Sequence, residues 1–165
     1  MKSKEWNILA VEHQLLIKKY QKDIPLKLGS LAKDLGIVVK KATLEANISG
    51  EIKESDGVVT IRVNRHDAPS RQRYTLAHEI SHFFLHRHLL QNGIKDDVLY
   101  RSNQSNEIEA EANRLAADIL MPIELVQLLI NKYSVDDLDN EQVYERVAEE
   151  LFVSKTALMI RLNKV

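Results

Sequence analysis

Four of the chain's six histidines fall within one short run, His78-Glu-Ile-Ser-His82-Phe-Phe-Leu-His86-Arg-His88. Few local structures can use such a run. On an α-helix, residues four apart stand on one face, about 6 Å apart along the axis, so His78 and His82 can point two imidazoles at one place. Helical projection gives this segment two sides. Leu76, Ala77, Ile80, Phe83 and Phe84 form an apolar face, while His78, Glu79, His82 and His86 gather opposite. The expectation is a helix over about 71–88 that packs on a core and turns its polar side to a cleft.

The rest of the chain limits what that side can do. There is no cysteine, so disulfides, a thiolate nucleophile and cysteine-bound metal are excluded. Any metal must be held by His, Asp or Glu. The net charge of −1 gives no electrostatic pull toward nucleic acid or an anionic membrane. The N-terminal stretch lacks the apolar core of a signal peptide, and no apolar run approaches the roughly 20 residues of a membrane-spanning helix. A cytoplasmic protein is expected.

Periodicity then outlines the fold. Apolar spacing from Trp6 to Tyr20 predicts one amphipathic first helix, Pro25 breaks the chain, and a short helix runs to Gly36. Three strands are expected at Ile37–Lys40, Asn47–Lys53 and Val58–Asn64. The last two flank Glu54-Ser55-Asp56-Gly57, where Asp-Gly signals a hairpin. Residues 89–103 read as a loop. A strong helix over about 105–121 stops at Pro122, and helices follow near 123–131, 141–151 and 154–163. The fold class is α+β: a small three-stranded sheet packed against the histidine-bearing helix and a second ligand-bearing helix. Residues 1–130 are expected to form the main domain, with a helical segment, 131–165, packed on it.

Two imidazoles one helical turn apart suit a zinc ion, one per chain, and Glu79 lies close enough to take a proton from an attacking water. A third ligand is needed. His86 continues the spacing but lies about 12 Å from His78 along an unbroken helix, too far to share one ion. It is expected to support a ligand or face the substrate instead; His88 reads as a helix-end residue. A carboxylate from the next long helix fits better. Glu107, Glu111, Arg114 and Asp118 project onto a polar side that reads as solvated. Glu109 projects from the other flank of the apolar stripe, with Asn113 one turn later, able to accept a hydrogen bond from a ligating histidine. Glu109 is the expected third ligand and Glu111 the alternative. Tyr74, His86 or a residue of 89–104 would stabilise an oxyanion, with Tyr74 also a natural packing residue.

The segments Arg73-Tyr-Thr-Leu-Ala-His-Glu-Ile-Ser-His-Phe-Phe-Leu-His86 and Glu109-Ala-Glu-Ala-Asn-Arg-Leu-Ala-Ala-Asp-Ile-Leu-Met-Pro122 resemble the ImmA/IrrE metallopeptidases, relatives of the thermolysin-like gluzincins. Weaker echoes occur at Ile24-Pro25, Leu31 to Ile37, Ser49-Gly50 and Ile61–Asn64. Two positions depart from the pattern: Ser81 stands where Gly is common, and Leu115 where Phe is common. The resemblance implies a minimal zincin fold, metal ligands at His78, His82 and Glu109, and a catalytic Glu79. It also implies a protein substrate, a helix-turn-helix transcriptional repressor or antitoxin-like regulator, whose cleavage derepresses genes. The rival reading is a zinc-containing module that sequesters such a repressor without cutting it.

The C-terminal run from Val147 to Leu162 resembles a helix-turn-helix unit. A DNA reader needs a basic face, yet residues 141–165 balance Glu141, Glu145, Glu149 and Glu150 against Arg146, Lys155, Arg161 and Lys164. Packing on the main domain or docking of substrate is expected there rather than direct DNA binding.

Overall fold

The computed structural model describes residues 1–97 and 103–165. In chain order the helices are α1 (Lys4–Ile8), α2 (Val11–Tyr20), α3 (Leu28–Asp34), α4 (Pro69–Leu85), α5 (Asn103–Leu120), α6 (Ile123–Tyr133), α7 (Asn140–Leu151) and α8 (Lys155–Arg161). The strands are β1 (Val38–Ala42), β2 (Ile48–Ser55), β3 (Val58–Asn64) and β4 (Ile94–Asp97). The class is α+β, as the sequence implies. Among the described residues no helix is long and apolar enough to cross a membrane.

The sheet has four strands, not three, in the order β1-β3-β2-β4. β1 runs parallel to β3, and β2 runs antiparallel to both β3 and β4. The added strand lies in the stretch read as a loop. Ile94-Lys-Asp-Asp has almost no strand propensity of its own; its pairing with β2 makes it a strand. The hairpin forms where Asp-Gly predicts it. Asp56 and Gly57 both have positive φ, at 52° and 76°, as a two-residue type I′ turn requires. That turn sets Ile52 opposite Ile61 and Gly50 opposite Val63, so Ile48, Ile52, Val59, Ile61 and Val63 share the buried face.

α4 packs on this sheet, with Thr75 and Glu79 closest to Gly50 of β2 and with Ala77 and Ile80 buried, and α5 lies against α4, burying Ala112, Leu115, Ala116 and Ile119. The first helix is in fact two. Leu9 and Ala10 adopt extended backbone between α1 and α2, and Leu9 turns into the core. Continuous apolar spacing hides such a break, because both halves bury the same side.

α4 also departs from the expected two-sided helix. Its histidine side is buried as well: His78, Glu79, Ser81, His82 and His86 are all inaccessible or nearly so. The cause is tertiary. α5 covers the histidines and the sheet covers Glu79, which leaves Leu76 and Phe84 only half-buried.

Candidate metal centre

α4 ends at Leu85, and His86 caps it with its amide bonded to the His82 carbonyl. His78, His82 and His86 therefore stack on successive turns. α5 supplies the other wall, with Glu109 and Asn113 one turn apart, as are Glu107 and Glu111.

Three side-chain atoms converge between these helices. His78 Nε2 and His82 Nε2 are 3.1 Å apart. Glu109 sets Oε2 at 2.8 Å from the first and Oε1 at 3.3 Å from the second. Among the described residues, His78, His82 and Glu109 form a group that could hold a metal ion, with all ligand atoms within 4.8 Å of one another. The spacing fits. Ligands bound tetrahedrally at about 2.0–2.1 Å stand roughly 3.3 Å apart, and two imidazoles with one carboxylate are a common donor set. Glu111 is not at this point.

The outer ring atoms complete the arrangement. If both Nε2 atoms keep their lone pairs for the common point, each ring must carry its proton on Nδ1. His78 Nδ1 then donates to Asn113 Oδ1 at 2.9 Å. His82 Nδ1 donates to His86 Nδ1 at 2.8 Å, and His86 Nε2 donates to Glu111 Oε2 at 3.0 Å. Each inner histidine thus has a partner that fixes its tautomer and ring plane. His86 is turned away from the common point and spends both nitrogens on His82 and Glu111. Glu111, read as a solvated side chain or reserve ligand, anchors that chain.

Electrostatics leave His82 and Glu109 ready to bind a cation. Burial pushes the His82 imidazolium down to about 4, against the hydrogen bond it donates to Glu109, with charge on His78 and His86 adding to the effect. Burial would raise the Glu109 carboxyl, but hydrogen bonds from His78 and His82 outweigh it and hold it at about 2. At neutral pH the ring is uncharged and the carboxylate ionised.

Glu79 sits on the sheet side of α4, fully buried, beside strand β2. A Cβ on Gly50 would lie 2.4 Å from Thr75 Cγ2 and 3.0 Å from Glu79 Oε1. Only a glycine lets α4 settle this close to β2, at the place where the β2–β4 register is shifted. The echo at Ser49-Gly50 pointed to the position without giving its reason. Tyr74 Oη approaches the Asn113 carbonyl at 3.4 Å. With Asn113 and His78, Tyr74 lines a groove of about 1330 Å³ that opens beside the centre. The third place proposed for an oxyanion donor, 89–104, lies partly outside the described residues.

A family model described as the IrrE N-terminal-like domain, of a peptidase family, matches residues 32–163. The chain belongs to that family. A search of curated proteins gives no match. Membership in the IrrE N-terminal-like family implies protease activity on a protein substrate, and the His78, His82 and Glu109 cluster lies inside the matched region.

Two features of this family member escaped the sequence reading. Asp118, assigned to a solvated face, is buried and accepts from Ser3 N at 2.8 Å and Arg161 Nη2 at 2.6 Å. Glu5, at the other end of the chain, is buried beneath Arg114 in a two-point pair of 2.7 and 3.1 Å. Neither has a local sequence signal, since each partner lies more than 40 residues away.

Proposed function

We propose that the chain is a zinc-dependent endopeptidase of the gluzincin type, with one zinc held by His78, His82 and Glu109 and with Glu79 as general base. The observation that carries this reading is the convergence of two imidazole Nε2 atoms and one carboxylate between α4 and α5. A zinc so held supplies Lewis acidity, lowering the pKa of water toward about 7 and polarising a carbonyl.

The protein's own groups do the rest. Asn113 and the His86–Glu111 pair hold the two rings in the tautomer that presents Nε2. Glu79, one residue from His78 and shielded from bulk water, takes a proton from the attacking water and passes it to the leaving amine. Tyr74, which lines the groove together with His78, is the proposed partner of a developing oxyanion.

The proposed substrate is a helix-turn-helix repressor or antitoxin-like regulator in the cytoplasm, whose cleavage releases the genes it controls. The test asks whether a helix-turn-helix repressor is encoded beside the gene, incubates that repressor with the zinc-loaded protein and looks for a discrete fragment. Replacing Glu79 by Gln should keep the metal and lower cleavage by about 10²–10⁴-fold. A Glu79→Gln protein that binds zinc and still relieves repression fully would instead support sequestration without cutting.

A further inference from the structure

The groove beside the centre starts at His78 and Asn113, passes Arg114 on α5 and Met121 just after it, and ends against α8 and the residues after it. At about 1330 Å³ it exceeds the roughly 300–1,000 Å³ of a small-molecule site. Part of its lining is apolar: Met121, Ile130 and Ile160 all contribute, and Ile160 is 60% exposed. Its charged lining is of one sign. Arg71, Arg114, Arg161 and Lys164 line it, and among the described residues no Asp or Glu does, in a chain with 24 acids and 23 bases.

The counter-charges lie behind the wall. Glu5, which holds Arg114, is 1% exposed, and Asp118, which holds Arg161, is 2% exposed. Each carboxylate is buried behind its guanidinium; Arg114, with its side chain 44% exposed, presents its positive end outward, whereas Arg161, at 11%, lines the wall largely out of solvent. Arg71 leans on Asp67 at 3.5 Å, with its side chain 57% exposed. Lys164 is exposed and lies over the Tyr144 ring. An occupant facing this surface meets apolar contacts flanked by cations.

We infer that the groove seats an extended polypeptide segment in which acidic side chains are interspersed with apolar ones. This rests on the peptidase reading and names its substrate class. The segment's apolar side chains cover Ile130 and Ile160, its carboxylates meet Lys164, Arg71 and Arg114, and its backbone reaches the metal centre past Asn113. The C-terminal helices are then part of the substrate site, although they lie far from the histidines in sequence.

Binding is measured by fluorescence anisotropy on zinc-loaded Glu79→Gln protein, which holds a peptide without cutting it. The probes are a labelled peptide of about twelve residues built from Leu, Glu and Gly, its counterpart with Lys in place of Glu, and an oligothymidine of similar length. The acidic peptide should bind about tenfold more tightly than the basic one, and less tightly as salt rises. Lys164→Glu and Gln127→Glu, both exposed positions on the groove, should each weaken it several-fold. Lys40→Glu makes the same charge change as Lys164→Glu on exposed β1 and should not. Equal binding of both peptides, equal loss in the Lys40→Glu and Lys164→Glu proteins, or tighter binding of the oligothymidine overturns the inference. Cleavage by the unaltered protein is scored separately. Charge-selective binding without any cleavage tells against the peptidase reading and leaves the groove, whereas cleavage without charge preference does the reverse.

Discussion

Both ring nitrogens of His86 are engaged, one by His82 and one by Glu111, so its contribution to chemistry must pass through His82. Removing such a partner typically costs 10–100-fold in metal affinity. Replacing His86 by Phe should therefore raise the zinc dissociation constant by about that factor, as read by competition with a chromogenic chelator. Glu111→Gln keeps an acceptor oxygen and should cost less; unchanged affinity in the His86→Phe protein would remove His86 from the centre. The same cluster makes the metal-free protein acid-sensitive. His82 titrates at about 4 in the fold against its ordinary 6.5, so below pH 6.5 the unfolded chain takes up a proton that the fold refuses. Glu109 continues the trend, holding at about 2 against 4.5. Stability in chelator should thus be full above pH 6.5 and fall between 6.5 and 4, then further toward 2. Denaturant midpoints across that range test this, and His82→Phe should flatten the upper part. At this scale much was legible. Helix spacing alone gives His78 and His82 as a pair and rejects His86 as a third ligand. It cannot give the roll of α5 against α4, which sends Glu109 to the inner histidines and Glu111 to His86.

Glycine at position 50 shows how a strand and a helix jointly make a site. Thr75, whose methyl would lie 2.4 Å from an added Cβ, is itself buried and β-branched, so it has little room to turn aside. Gly50→Ala must push α4 off β2, and overpacking of this kind typically costs about 1–3 kcal/mol. Because Glu79 is the next group it meets, activity should fall further than stability does. The check is to compare turnover and denaturant midpoint of Gly50→Ala with those of Gly29→Ala, where an added Cβ meets nothing within 4 Å. Equal and small effects at both positions would show that the close approach carries no function. Elements differed in how readably they were written. The β2–β3 hairpin was clear because Asp56-Gly57 encodes its own turn. β4 was not, because its pairing partner rather than its composition makes it a strand, and neither was the break between α1 and α2 at Leu9.

Across the whole molecule, the Asp118 side chain ties two distant parts of the chain to one point on α5. One carboxylate oxygen accepts from the Ser3 amide ahead of α1, and the other from Arg161 at the end of α8. Arg161 also donates to the Met121 carbonyl at 3.0 Å. The family match, residues 32–163, spans α5 and α8 and so includes both members of the ion pair. Both side chains are largely out of solvent, at 1% and 11% exposure. A buried pair of this kind costs desolvation on each side, so its sign under mutation depends on what is left behind. Asp118→Ala leaves a guanidinium buried with its carboxylate gone and should destabilise by about 3–5 kcal/mol, read as a lowered denaturant midpoint. Replacing both partners with apolar groups of similar volume, Asp118→Leu with Arg161→Met, should recover most of that loss. The double variant should still bind zinc, since neither residue touches His78, His82 or Glu109. If the pair instead contributes stability of its own, the double variant will be no better than Asp118→Ala, and the ion pair itself, rather than relief of an uncompensated charge, is what holds the C-terminal helix on α5.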